Sequence, residues 1–238
     1  MIYVTGDTHR NFKRVEKFCQ QFETKQDDIL IILGDAGINY LGGDADFDFK
    51  TWISKLPITL FCIHGNHEMR PETIDTYHET EWRGGTVFIE EDFPNLIFAK
   101  DGEVYDFGLD AKAIVIGGAY SVDKYYRLAV GANWFPDEQP SEETKRRVER
   151  KLDELGWEID LVFSHTAPLK YEPVESFLPG LDQSTVDKTT EEWLDKIEDK
   201  LDYKQWLCGH YHTQKRVDDF EIMFQDFGML AEFQEVSK

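Results

Sequence analysis

The 238 residues carry 47 Asp and Glu against 26 Lys and Arg, a formal net charge of -21. That balance works against long nucleic acid as a ligand, whose affinity comes largely from Lys and Arg on phosphates. It leaves room for a small phosphorylated substrate or a phosphoprotein, because a metal centre reverses the local field. A 41% hydrophobic and 14% aromatic share excludes a disordered chain, and the length suffices for a sizeable core.

No stretch approaches the roughly 18 apolar residues of a membrane span. The start, Met1 to Asp7, lacks the basic region and apolar core of a signal peptide. Cys19, Cys62 and Cys208 are odd in number and fit no zinc motif, so they read as buried, reduced thiols in a cytoplasmic protein.

In chain order, Ile2 to Thr5 predicts a short apolar strand ended by Gly6-Asp7-Thr8-His9. Asn11 is placed to cap a helix in which Phe12, Val15, Phe18 and Phe22 recur at helical spacing. Ile29 to Leu33 predicts a second strand, ended by Gly34-Asp35. A loop through Gly42-Gly43-Asp44 and a short helix over 47–55 lead to a third strand, Leu60 to Ile63. That strand breaks at Gly65, where a glycine allows a sharp turn, and then presents Asn66, His67 and Glu68. Continuous apolar strands alternating with helices imply a parallel sheet buried on both faces. Its carboxyl edge would gather Asp7, His9, Asp35, Asn66 and His67, where open α/β sheets carry their chemistry.

The middle changes character. Runs at 86–89, 96–99, 103–107 and 111–116 predict short strands of a second, partly antiparallel sheet packed on the first, with Asp101-Gly102 as a hairpin turn. The stretch from Ser121 to Pro140 has no clear period and reads as an irregular insert near 120–140 within one domain spanning 1–238. Ser141 opens a charged helix with Val148, Leu152 and Leu155 inward; its Arg146, Arg147 and Arg150 read as a solvated face. The strand Leu161 to Ser164 ends in His165 and is followed by a loop containing Pro168, Pro173 and Pro179. A helix over 191–200 precedes the strand Gln205 to Cys208, which ends in Gly209-His210-Tyr211-His212. The tail from Lys215 to Phe233 predicts two or three closing strands.

Five strand ends therefore carry candidate ligands, and five of the seven histidines lie in them. Any one cluster alone reads as an ordinary cap or turn. Together they form a set of imidazole, carboxylate and amide oxygen without thiolate, which suits Mn, Fe or Zn, and also Ni or Co. With Asp35 as a bridge, two metal ions would each have about four protein ligands, leaving positions open for water and substrate. His64, one residue before the turn, reads as packing, and His78 as a solvated residue in a polar stretch.

Asp7-Thr8-His9, Gly34-Asp35, Gly65-Asn66-His67-Glu68, His165 and Gly209-His210-Tyr211-His212 occur in the order seen in calcineurin-like metallophosphoesterases, and the chain resembles that superfamily over nearly its whole length. The resemblance implies an α/β fold of two packed mixed β-sheets flanked by helices, a four-layer αββα sandwich. It implies that Asp7, His9, Asp35 and His212 hold one metal ion, and that Asp35, Asn66, His165 and His210 hold the other. A hydroxide between the ions would attack phosphorus in line, and His67 would protonate the leaving oxygen or steady the transition state. Glu68 would orient His67 or a nearby backbone group. Lys124, Arg127 and Arg70 are candidate contacts for substrate phosphate, set against ordinary surface charge.

Two departures narrow the reading. Ala36-Gly37 follows Asp35 where phosphoprotein phosphatases carry Asp-Arg-Gly, which argues against a classical serine/threonine phosphatase; Ser164 stands where many members have Gly. The competing readings are a phosphodiesterase or nuclease for cyclic or short nucleotides, and a non-catalytic scaffold on the same fold. The filled ligand set speaks against the scaffold.

Overall fold

A computed structural model describes residues 1–108, 111–177 and 183–230. Its strands are β1 (Ile2–Thr5), β2 (Ile29–Ile32), β3 (Thr59–Cys62), β4 (His78–Trp82), β5 (Gly85–Ile89), β6 (Leu96–Ala99), β7 (Val104–Asp106), β8 (Lys112–Ile116), β9 (Glu158–Ser164), β10 (Asp202–Cys208), β11 (Lys215–Val217), β12 (Phe220–Ile222) and β13 (Phe227–Met229). The helices are α1 (Phe12–Phe22), α2 (Gly43–Ile53), α3 (Lys124–Val130), α4 (Glu142–Glu154) and α5 (Thr189–Glu198). Pro179 and the end of the expected tail, 231–233, lie outside the described residues.

The strands form two sheets, β13-β1-β2-β3-β6-β5-β4 and β11-β12-β10-β9-β8-β7. In the first, β1, β2, β3 and β6 run parallel. In the second, β8, β9, β10 and β12 do. Antiparallel strands close the edges of both.

The expected second sheet is corrected in one respect. The strands at 85–89 and 96–99 extend the first sheet, and only those at 104–106 and 112–116 belong to the second. Asp101-Gly102 is therefore a turn between sheets and not a hairpin, although Gly102 does take φ 83° and donates its N–H to Val115 O at 2.8 Å.

Three apolar layers hold the sandwich together. Between the sheets, Val4, Ile31, Phe61 and Ile97 meet Val115, Leu161, Phe163 and Leu207. On the outer face of the first sheet, Phe12, Val15 and Phe18 of α1 and Ile53 of α2 pack on Leu30, Ile32 and Leu60. On the outer face of the second, Val148 and Leu152 of α4 with Trp193, Leu194 and Ile197 of α5 cover Ile114, Val162 and Trp206. Strands covered on both faces have no solvent side for polar residues, which is why Ile29–Ile32 is apolar at every position.

Local signals were partly replaced by tertiary ones. Asn11 stands at the start of α1, but its side chain makes no capping bond. Ser141 does cap α4, accepting the Thr144 N–H at 3.1 Å. Part of the expected irregular insert is helical: α3 buries none of its seven residues and exposes Tyr125, Tyr126 and Leu128, so it carries no hydrophobic period to read. Strand β4 is likewise a polar edge strand, with His78 exposed in it.

Phe61 lies at the centre of the inter-sheet layer. It is fully buried and contacts Trp82, Tyr105 and Phe107 at ring-centroid separations of 5.0, 5.0 and 5.4 Å. Phe61→Ala is expected to cost about 3–5 kcal/mol, the range for emptying a buried aromatic position. Urea unfolding followed by tryptophan fluorescence would measure it, and a loss below about 1 kcal/mol would mean the layer collapses onto the cavity.

Candidate metal centre

The carboxyl ends of β1, β2, β3, β9 and β10 meet above the inter-sheet layer, and eight side-chain donor atoms converge there. On one side, His9 Nε2 lies 2.7 Å from His212 Nε2, 3.6 Å from Asp7 Oδ2 and 3.8 Å from Asp35 Oδ2. His212 Nε2 is 3.2 Å from Asp7 Oδ2. On the other side, Asn66 Oδ1 lies 2.8 Å from His165 Nε2 and 3.0 Å from His210 Nδ1, and Asp35 Oδ1 is 3.7 Å from His165 Nε2. The two oxygens of Asp35 thus face the two groups. Two trios, Asp7 with His9 and His212, and Asp7 with Asp35 and His165, each keep their donor atoms within 4.8 Å.

The donor chemistry fits cations. Leu33 O can only accept, so at 2.8 Å it fixes the proton of His165 on Nδ1. In neutral His165, Nε2 then points a lone pair at Asn66 Oδ1, another acceptor. Asp7 Oδ2 is buried, and the polar atoms that face it are the ring nitrogens of His212 and His9. Acceptors crowded together in a buried site repel unless a cation lies between them. Separations near 3 Å match ligands about 2.1 Å from a common ion.

Burial and charge pull the titratable groups of the site in opposite directions. Burial would raise the Asp7 carboxyl, but the His212 and His9 imidazoles override it and hold Asp7 well below the usual range. Burial would lower His9, yet Asp7 and Asp35 raise it. At His210 burial wins and the imidazole stays neutral, as a ligand must be. Burial likewise lowers His67, against the pull of Asp35.

Backbone geometry brings these atoms so close. A Cβ on Gly65 would lie 2.0 Å from Asp35 Oδ1 and 2.2 Å from Asp35 N. The chain does bend after β3, over 66–68, but Gly65 does not have a positive φ, so what it supplies there is room for Asp35 and not a left-handed turn. Gly34 answers both needs: its φ is 97°, and a Cβ there would lie 2.0 Å from His165 Nδ1. His9, Asp35, His210 and His212 are themselves left-handed, at φ 44°, 47°, 70° and 50°. Such residues cost about 1–3 kcal/mol each and collect where the fold over-determines a site.

Surrounding groups hold the donors in place. Asp35 Oδ1 accepts the His67 N–H at 2.8 Å, and Asp7 Oδ1 accepts the His210 N–H at 2.9 Å. Glu68 settles onto backbone and not onto His67: its carboxylate faces the Ala36 and Ile38 N–H groups at 3.2 Å each, shaping the loop after Asp35. Burial, then the charge of Asp35, pushes Glu68 up to about 8. Ser164 uses its hydroxyl, donating to Thr166 O and accepting from Trp206 Nε1, so it does more than replace a glycine.

Sequence reading missed Ser121. Its buried Oγ accepts from Asn66 Nδ2 at 2.9 Å, which turns Asn66 Oδ1 toward His165 and His210. The available signal was a sixth strand end, Gly117 to Tyr120 after β8. His64 is buried but has no hydrogen-bond partner on either ring nitrogen among the described residues, in keeping with a packing role.

Of the three candidate phosphate contacts, the structure brings one to the site. Arg127 lines a 190 Å³ cavity with His9, Arg10, Tyr40 and His67, its Nε held 2.8 Å from both oxygens of Asp123. Arg70 is corrected: it is buried, paired to Asp101 at 2.8 Å and bonded to Asp137 O, because its charge serves to join the turn at 101 to the loop at 137. Lys124 lies over the Trp134 ring at 4.2 Å and lines neither of the two cavities that adjoin His67. The second of these, 540 Å³ in volume, runs from Asp35, Asn66, His67, His210 and His212 outward.

Among the described residues no helix is long and apolar enough to cross a membrane. No curated protein matches the chain. Among solved structures it is similar to TT1561 of Thermus thermophilus, with 14% identity over 94% of this chain and 87% of that one and a TM-score of 0.48. It is also similar to the phosphopantetheinyl hydrolase PptH of Mycobacterium tuberculosis, with 16% identity over 94% and 87% and a TM-score of 0.42. Both likenesses are too distant to bear on substrate. The model of the calcineurin-like phosphoesterases matches residues 1–214, and the chain belongs to that family of hydrolases dependent on divalent metal ions.

Proposed function

We propose that this protein is a two-metal phosphoesterase that hydrolyses a phosphate ester by in-line displacement. The observation that carries the reading is the division of eight donor atoms into two groups that share the Asp35 carboxylate. Two divalent ions held there (Mn, Fe, Zn, Ni or Co) would supply a water-derived nucleophile at neutral pH and offset the charge on the phosphoryl oxygens. Asp7, His9, Asp35 and His212 would hold one ion, and Asp35, Asn66, His165 and His210 the other.

The chain supplies the rest. His67 is half-buried between the two cavities, and its backbone N–H is tied to Asp35. Its imidazole is placed to donate a hydrogen bond or proton to the leaving oxygen. Arg127 is placed to meet a phosphoryl oxygen from the smaller cavity. A phosphodiester, including a cyclic or short nucleotide, is the second reading, supported by the presence of cavities on both sides of His67. A non-catalytic scaffold is the poorer one, because buried acceptors that repel one another stabilise nothing without a ligand.

Purified protein with Mn²⁺ is expected to hydrolyse a generic aryl phosphomonoester or phosphodiester; inertness toward both across several metals would overturn the enzymatic reading. Asp35→Ala is expected to lose both ions in elemental analysis, and retention of two per chain would remove Asp35 as the bridge. His67→Ala should keep its metal while turnover falls by about 10²–10⁴-fold, the span for a lost general acid. Unchanged kcat would take His67 out of the mechanism. Ser121→Ala is expected to weaken metal binding by about 10–100-fold, the usual effect of losing a group that orients a ligand. Titration calorimetry on the metal-free protein reads this directly.

A further inference from the structure

Resting on the phosphoesterase reading, the chemistry of the larger cavity names the kind of ester. Of the two cavities beside His67, only the 540 Å³ one falls in the range of about 300–1,000 Å³ that holds organic ligands. The ester's organic group therefore belongs there, since 190 Å³ on the Arg127 side is too small.

Beyond the donor atoms, the walls of this cavity are of two kinds. Tyr120, Phe177, Tyr211 and Val186 offer apolar and aromatic surface, with Phe177 and Tyr211 stacked at 6.3 Å. Tyr211 sits between His210 and His212, so this surface begins at the metal centre itself. The remaining wall is polar: Ser176, Gln183 and Thr185 are neutral, Asp123, Glu172, Asp187 and Glu191 are acidic, and no Lys or Arg lines the cavity among the described residues.

Two of the acidic residues are already neutralised: Asp123 by Arg127 and Glu172 by Lys188, the latter at 2.6 Å. Asp187 and Glu191 have no ion-pair partner among the described residues. Asp187 accepts from the Thr189 N–H and Gln139 Nε2. Glu191 is 4% exposed, and only its Oε1 is satisfied, by Thr166 Oγ1 at 2.8 Å; its Oε2 has no partner among the described residues. Burial pushes Glu191 up to about 7; in its ionised form, an oxygen left without a partner in the wall of a cavity that opens on the metal centre marks a place for a ligand's donor.

We infer that the substrate is a phosphoester of an aromatic or otherwise flat alcohol whose far end is a hydrogen-bond donor, cationic or neutral, and never a second anion. The ring would lie against Tyr211 and Phe177, with the donor end at Glu191 and Asp187. Leaving groups that bear further phosphates or carboxylates meet the Asp187 carboxylate there, which the Thr189 N–H and Gln139 hold ionised without an ion-pair partner among the described residues, and are rejected.

Three aryl phosphates of nearly equal leaving-group acidity test this: 4-(2-aminoethyl)phenyl, 4-ethylphenyl and 4-(carboxymethyl)phenyl phosphate. With Mn²⁺-loaded protein, kcat/KM is expected to fall in that order, by about tenfold or more from first to last. Equal values, or a preference for the carboxylate, would overturn the inference while leaving the phosphoesterase reading intact. Binding of the products tyramine and 4-hydroxyphenylacetate, by calorimetry, reads the cavity without turnover. Preference for tyramine without hydrolysis of any ester would support the cavity's assignment and sink the phosphoesterase reading. No preference in binding would overturn the cavity's assignment. In Asp187→Asn, and further in Asp187→Asn/Glu191→Gln, the discrimination is expected to shrink toward unity. Full discrimination in the folded double variant would overturn the role of these carboxylates, and the single variant decides the matter for Asp187 if the double one fails to fold.

Discussion

The Asp35 carboxylate is the contact on which the arrangement turns. It stands just beyond the end of β2, in a left-handed backbone conformation, with one oxygen toward His9 and the other toward His165. The second oxygen also accepts the backbone N–H of His67. One side chain therefore joins the two groups of donors and ties the loop after β3 to both. Gly65 is the condition for this, since any Cβ there would occupy the space of the carboxylate. Glu68 then clamps the strand-to-loop segment that follows Asp35.

Such a cluster is unfavourable by itself: buried acceptors face one another, and four of the residues are in a conformation that ordinary side chains avoid. The three apolar layers compensate. They lock the two sheets face to face, so the carboxyl ends of five strands are held together whether or not their side chains attract. The functional consequence is a site whose donors the fold itself holds close, in which cations relieve a repulsion that the fold imposes.

Much of the site was legible because its residues directly follow strands whose apolar runs were unmistakable. Asp7, Asp35, Asn66, His165 and His210 all lie just past a strand end. Sheet membership was less legible. Leu96–Ala99 is buried at every position, which announces a core strand but not the sheet it joins. Strand β4 and helix α3 were missed because an exposed edge strand and a helix without a buried face leave no hydrophobic period. Ser121 and Glu191 could not be picked out either: each is an ordinary polar residue until the fold sets it beside Asn66 or in the cavity wall.

The donor types, their order, and the parallel strands that present them follow from the chain's own residues, because residue chemistry and hydrophobic period are local properties. Which oxygen of Asp35 faces which histidine, that Gly65 leaves room for that carboxylate, and that Arg70 pairs with Asp101 all depend on the packed fold. Those are contacts between residues distant in the chain. Their geometry depends on how the two sheets pack against each other and under their helices, which no single segment encodes.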